Sequence, residues 1–92
     1  MIRHFKDEEA RKIYNTGHSK KYGSLARVAA RRLGAIDFAP CLDDLRDPPG
    51  NRLEALKGDR KGQYSIRIND RYRVCFRWHE NEAWDVEIVD YY

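Results

Sequence analysis

Arg67, Arg73 and Arg77 sit at alternating positions of two apolar runs, Tyr64-Ser65-Ile66-Arg67-Ile68 and Tyr72-Arg73-Val74-Cys75-Phe76-Arg77-Trp78. Alternation of this kind has the period of a β-strand. If Tyr64, Ile66, Val74, Phe76 and Trp78 face a core, the three arginines share the opposite face. A guanidinium offers a planar fork that contacts two phosphate oxygens together, so three of them make a platform for a polyanion. Like charges grouped this way need something negative among them. Either a ligand supplies it, or Glu54, Asp85 and Glu87 supply it from within the chain. Asp90-Tyr91-Tyr92 adds a carboxylate and two phenols beside the basic strands. Other chemistries find little footing. His4, His18 and His79 are far apart without ligand spacing, and Cys41 and Cys75 form no CxxC unit. There is no Gly-rich phosphate loop and no Ser-His-Asp order, so neither a metal nor a nucleotide cofactor is expected.

The elements that position these residues follow from periodicity. Ile2 to Phe5 fits a short first strand, and Asp7-Glu8-Glu9 places acids where a helix begins, with Gly17 as its stop. Ser24 is placed to cap a second helix, whose apolar stripe is Leu25, Val28, Ala29, Leu33 and Ile36, with Arg27 and Arg31 opposite. Pro40 and Asp47-Pro48-Pro49-Gly50-Asn51 mark irregular chain. Three strands follow, turning at Asn69-Asp70 and at His79-Glu80-Asn81-Glu82; the last alternates Trp84, Val86 and Ile88 with Asp85 and Glu87. Leu53 to Lys57 is expected as a fourth strand, but Leu53 and Leu56 have opposite parity. It needs a bulge or a partly buried second face. Helices first and strands later give an α+β fold, with N-terminal helices packed on one face of a mainly antiparallel sheet.

At 92 residues the chain is expected to form one domain, 1–92, with one modest core. Its charge is uneven: residues 1–36 hold nine Lys/Arg against three Asp/Glu, and residues 51–79 hold eight against three. Such blocks suit a polyanion or an acidic protein. No signal peptide is evident and no stretch approaches the ~18 apolar residues of a membrane helix, so a cytoplasmic protein without membrane contact is expected.

The stretch from Pro48 to Arg60, PPGNRLEALKGDR, resembles the middle of HigB toxins, members of the RelE/ParE toxin superfamily. So do Gly62-Gln63-Tyr64-Ser65-Ile66-Arg67, Tyr72-Arg73-Val74-Cys75-Phe76 and the ending Val86-Glu87-Ile88-Val89-Asp90-Tyr91. The similarity runs in order along essentially the whole chain. It implies a RelE-like fold and the toxin of a type II toxin–antitoxin pair, a metal-independent endoribonuclease that cleaves messenger RNA in the ribosomal A site. The implied inhibitor is a HigA-like helix-turn-helix antitoxin, with operator DNA contacted only indirectly, through that antitoxin.

Metal-free RNA cleavage uses the substrate's 2′-hydroxyl as nucleophile and leaves a 2′,3′-cyclic phosphate and a 5′-hydroxyl. The resemblance implies catalytic roles for Lys57, Arg73, Asp90, Tyr91 and Glu54. Arg73 suits charge stabilisation of the phosphorane, and Lys57 adds a positive charge or joins proton transfer. Asp90 acts as base or orients Arg73 or Lys57. Tyr91 stacks on a base or donates a proton, and stacking is the more conservative role. Glu54 stands where some HigB toxins carry histidine, and Tyr92 where many end in histidine; a carboxylate at Glu54 accepts a proton but brings negative charge near the phosphate. Arg60, Lys61, Arg67, Arg77 and Tyr92 are the expected RNA contacts. Two alternatives stand beside this: a non-catalytic toxin of the same fold, such as a ParE-like gyrase inhibitor, and a plain RNA- or ribosome-binding module.

Overall fold

A computed structural model describes residues 1–90 of the chain. Helix α1 (Glu8–Thr16) begins at Asp7, whose carboxylate accepts from the Glu9 amide at 3.0 Å, and the acids of its first turn oppose the helix dipole. Gly17 ends it in the left-handed region at φ 76 and donates its N–H to the Ile13 carbonyl at 2.7 Å. Helix α2 (Leu25–Phe38) buries Ala26, Ala29, Leu33 and Ile36, packs Leu25 and Val28 beside them, and leaves Arg27 and Arg31 in solvent.

Ser24 does not cap α2. Its backbone is already helical (φ −64, ψ −21), whereas a capping side chain works from an extended residue. The chain instead enters α2 through a turn built on Ser19: its Oγ accepts from the Tyr22 amide at 3.1 Å, and its carbonyl accepts from Gly23 at 2.9 Å.

The proline-marked segment forms short 3₁₀ turns at Leu42–Arg46 and Pro49–Asn51, and a third lies at Gly58–Arg60. Strands β1 (Glu54–Ala55), β2 (Gln63–Arg67), β3 (Tyr72–His79) and β4 (Glu82–Asp90) form one antiparallel sheet in the order β1-β2-β3-β4. The turn between β2 and β3 is held by Asn69, whose side-chain oxygen accepts from the amides of Arg71 and Tyr72. Glu80 and Asn81, both at positive φ, make the tight turn before β4. Ile2–Phe5 is less than a full strand: it contributes two isolated parallel bridges to β4, Ile2 to Ala83 and Phe5 to Val86. The helices cover one sheet face, where Ile13, Leu33, Ile36, Ile66, Val74, Phe76 and Val86 form the core.

Two sequence expectations are corrected here. The strand over 53–57 shrinks to two residues, bounded by positive φ at Arg52 and Gly58. Leu53 packs on the core while Leu56 lines a hollow on the far face with Cys75, so a second buried face accounts for their opposite parity. In β4, Ala83 rather than Trp84 points inward: Ala83 is fully buried and Trp84 is 38% exposed. The register shifts between Cys75↔Glu87 and Arg77↔Trp84, and Asp85 takes φ 54 at this β-bulge. The extra residue inverts the alternation on the N-terminal side of Val86.

Candidate active site

The sheet face away from the helices is not an open arginine platform. Residues 49–61 fold over part of it, so Ser65 and Cys75 are buried and Arg73 is only 6% exposed. Among the described residues, three groups hold Arg73: Nε donates to Ser65 Oγ at 2.7 Å, Nη2 donates to the Arg52 carbonyl at 2.7 Å, and Nη2 lies 3.2 Å from Glu54 Oε1. Each partner has a structural origin. Ser65 is the residue of β2 paired with both Glu54 and Cys75. Arg52 aims its carbonyl inward from a left-handed backbone, φ 47. Asn51, 1% exposed, anchors the preceding loop by donating to the carbonyls of Leu45 (3.2 Å) and Asp47 (3.1 Å). A guanidinium held through both Nε and Nη2 presents its plane in one orientation, which is what recognition of a phosphate demands.

Glu54, Lys57, Arg60, Cys75 and Val89 line one hollow of about 470 Å³ beside this arginine. Lys57 stands at its rim, exposed, immediately before the Gly58–Arg60 turn, and among the described residues no ion pair involves it. Arg60 Nη1 reaches Glu87 Oε2 and Gln63 Oε1, each at 3.1 Å, and Lys6 approaches Glu87 at 3.7 Å. Cys75 forms part of the floor; burial pushes its thiol up from its ordinary value, which disfavours the thiolate.

The remaining expected residues are spread around this hollow. Arg67 pairs across the strands with Arg73, yet its side chain is ion-paired with Asp70 in the β2–β3 turn. Arg77 lies four residues along β3 from Arg73, with Nε 3.4 Å from Asp85 Oδ2. Lys61 is exposed at the approach to β2. Asp90 follows Val89, which pairs with Arg73, but shares the parity of Val86 and Ile88 and pairs with Tyr72. Its Oδ2 receives Nε (3.0 Å) and Nη2 (2.8 Å) of Arg71, and that hydrogen bonding raises the Arg71 pKa above its ordinary value. Tyr91 and Tyr92 lie outside the described residues. Among the described residues, no three His, Cys, Asp or Glu side chains gather as a metal ion would require.

Thus Glu54, Lys57 and Arg60 share one hollow, Arg73 adjoins it through its pair with Glu54, Arg67 and Arg77 extend the same face, and Asp90 is engaged by Arg71. Sequence reasoning missed the supports: Ser65, the Arg52 carbonyl, Asn51 and Arg71. The alternation of Ser65 with Tyr64 and Ile66 already placed its hydroxyl on the arginine face. The left-handed Arg52 and the buried Asn51 left no such signal.

The same small α+β fold occurs in bacterial toxins. The Staphylococcus aureus YoeB–YefM toxin–antitoxin complex contains a chain matched with TM-score 0.62 at 18% identity, over 100% of this chain and 98% of that one. YafQ from E. coli matches with TM-score 0.64 at 8% identity, over 99% and 94%. Sequence narrows the class. The family model described as RelE-like toxin of type II toxin–antitoxin system HigB matches residues 3–92. Toxin HigB-1 of Vibrio cholerae is 39% identical over 85 residues, covering 90% of each chain, and Endoribonuclease HigB of Proteus vulgaris is 30% identical over 95 residues, covering 100% of each. The chain belongs to the HigB family of RelE-like toxins of type II toxin–antitoxin systems. No helix among the described residues is long and apolar enough to cross a membrane.

Proposed function

We propose that this toxin is an endoribonuclease that cuts messenger RNA in the ribosomal A site, with the hollow beside Arg73 as its active site. One observation carries the assignment of the site: Glu54, which pairs with the buried, doubly held Arg73 guanidinium, lines the same hollow as Lys57 and Arg60. That arrangement fits a phosphate in mid-transfer, because charge developing on its oxygens meets a guanidinium already fixed in place and an ammonium at the rim. The 2′-oxygen of the substrate attacks the adjacent phosphorus as its proton passes to the Glu54 carboxylate. The bond to the 5′-oxygen breaks, and that oxygen takes up a proton from solvent water as it leaves. The products are a 2′,3′-cyclic phosphate and a 5′-hydroxyl. Arg73 stabilises the phosphorane and Lys57 donates hydrogen bonds to the same oxygens.

Asp90 acts on positioning: its pair with Arg71 locks the end of β4, from which Tyr91 follows to stack on a base. Arg60, Lys61, Arg67, Arg77 and Tyr92 guide the flanking strand. The domain, residues 1–92, works in the cytoplasm and is neutralised by a HigA-like helix-turn-helix antitoxin, through which operator DNA is contacted. The decisive experiment maps RNA 5′ ends after induction of the wild-type chain and of Arg73→Ala. New 5′-hydroxyl ends within translated codons, present only with the wild type, are the expected result. Intact messenger in a translation mixture containing folded, antitoxin-free protein defeats the assignment, and supercoiling inhibition with uncut messenger would select a gyrase poison instead.

A further inference from the structure

At the far end of the arginine face, the β4 bulge gathers around Arg77 a second group of side chains, Trp84, Asp85 and His4, to which the proposed function gives no role. Asp85 holds a left-handed backbone, φ 54, rare for a non-glycine residue and concentrated at functional sites. Its carboxylate receives two cationic or aromatic neighbours at once: His4 Nδ1 lies 2.8 Å from Oδ1, and Arg77 Nε lies 3.4 Å from Oδ2. Because the bulge sends both Trp84 and Asp85 outward, Trp84 lies directly across the ladder from Arg77, on the same face. Trp84 is 38% exposed, whereas Trp78 is packed against the core. The Arg77 guanidinium is also hemmed from the β2 side. A Cβ on Gly62 would meet its Nη1 at 3.1 Å, and Gly62 has φ 92, so the close approach depends on glycine there.

We infer that Trp84, Arg77 and His4 form a stacking subsite for one base of single-stranded RNA, displaced along the sheet from the phosphate held beside Arg73. The inference rests on the ribonuclease assignment above and adds a substrate contact to it. An exposed indole with a guanidinium directly opposite and an imidazole nearby combines the two features that hold single strands, an aromatic face for the base and cations for the flanking phosphates. Asp85 serves as the hinge pin, orienting His4 and Arg77 from a strained backbone instead of touching the nucleotide. Arg73 and Arg77 stand four residues apart on one strand, about 13 Å, so a single RNA strand running along β3 passes both.

Trp78→Phe leaves Trp84 as the sole tryptophan of the chain. This protein is titrated, at low salt, with a short single-stranded oligoribonucleotide carrying 2′-O-methyl groups that block cleavage, and binding is followed independently by anisotropy of the labelled RNA. Quenching of Trp84 emission in step with binding is the expected result. Trp84→Ala weakens binding by about 5- to 150-fold, the equivalent of one lost base stack, and Trp84→Phe retains most of it. On programmed ribosomes Trp84→Ala raises the half-saturating concentration and keeps the cleavage rate at saturation. Bound RNA with unchanged Trp84 emission overturns the subsite, as does Trp84→Ala binding as well as Trp84→Phe. So does a change in emission that appears with antitoxin and not with RNA. A chain that cuts messenger while Trp84 stays silent leaves the ribonuclease assignment standing and removes only the subsite. Messenger left uncut by the wild type removes both.

Discussion

The two sides of this protein are both basic, and they handle their charge in opposite ways. On the sheet face, guanidiniums have internal partners, although Lys57 has no ion pair among the described residues: Arg73 with Glu54, Arg60 with Glu87, Arg77 with Asp85, and Arg71 with Asp90 at the end of β4. On the helical side, residues 10–36 carry seven Lys/Arg and no Asp/Glu. Arg11 reaches back to Glu8 and Arg32 donates to the Arg67 carbonyl, but among the described residues no ion pair involves Lys12, Lys20, Arg27 or Arg31. A hollow of about 560 Å³ there is lined by Gly17, His18, Ser24, Arg27 and Arg31, without one carboxylate. Pairing costs the sheet face part of its net charge and in return fixes each guanidinium before substrate arrives. The unpaired side keeps its field and gives up geometry. Catalysis needs fixed dipoles, whereas long-range attraction of a polyanion needs only charge, which is why the proposed chemistry is assigned to the paired face.

The sharpest way to break this contrast is to remove the best-held cation. Arg73→Ala should lower single-turnover cleavage on programmed ribosomes about 10²–10³-fold, about 2.7–4 kcal/mol of transition-state stabilisation. Arg73→Lys keeps the charge and loses the fork, and should recover only a small part, since a point charge cannot hold Ser65, the Arg52 carbonyl and a phosphate together. Arg27→Ala should leave the same rate within a factor of two or so, because a distant exposed charge is largely screened. Equal losses from both sides would erase the distinction.

A smaller effect tests how Arg73 is held. Asn51→Ala leaves the carbonyls of Leu45 and Asp47 without their buried donor and should cost about 1–3 kcal/mol in urea unfolding. Cleavage should fall as well, because the loop that aims the Arg52 carbonyl at Arg73 loses its anchor. A stability loss with an unchanged rate per folded molecule would detach Asn51 from the site.

The helical layer has its own fixed group, just beyond the acid-free run. The Tyr14 hydroxyl donates to Asp37 Oδ2, while Asp37 Oδ1 accepts from the Ile2 amide at 2.7 Å. Hydrogen bonding to Asp37, then burial, pushes the Tyr14 phenol up from 10.0 to about 12. Only the protonated phenol can donate, so this contribution to stability is complete below pH 10 and is lost as pH rises from about 10 to about 12. Phenolate absorbance against pH should show a late phase that Tyr14→Phe removes, and Asp37→Asn should bring the Tyr14 transition back to lower pH. A Tyr14 transition that stays as late in Asp37→Asn would rule out Asp37 as its cause.

Much of the fold was legible because it rests on local periodicity. The α2 stripe, the Asp7 start and Gly17 stop of α1, and the meander from Tyr64 to Ile88 each follow from side chains that repeat with one period. What escaped depends on backbone conformations that residue type does not signal. Asp85 at φ 54 inverted the parity of Trp84, Arg52 at φ 47 cut β1 to two residues, and Ser24 lost its cap role to the Ser19 turn. The site divides in the same way. Lys57, Glu54 and Arg73 were named from family resemblance and from strand parity. Burial of Arg73 was not, because the covering segment 49–61 has no periodicity of its own, and only tertiary packing brings it across Ser65 and Cys75.

The smallest effect bears on the unpaired side. Arg27 and Arg31 lie four residues apart on the exposed side of α2, where like charges repel by about 0.2–0.5 kcal/mol. Arg27→Gln keeps helix propensity and removes that repulsion, so the unfolding free energy should rise by this amount and the urea midpoint should rise with it, at an unchanged slope. Arg77→Gln, on the sheet face, loses its pair with Asp85 and should move the midpoint the other way by a comparable amount. Opposite signs at two exposed arginines of one chain would show that pairing, and not basicity, separates the two faces. If Arg27→Gln instead destabilises, the α2 cations have an internal partner after all, and the helical side is built on the same plan as the sheet.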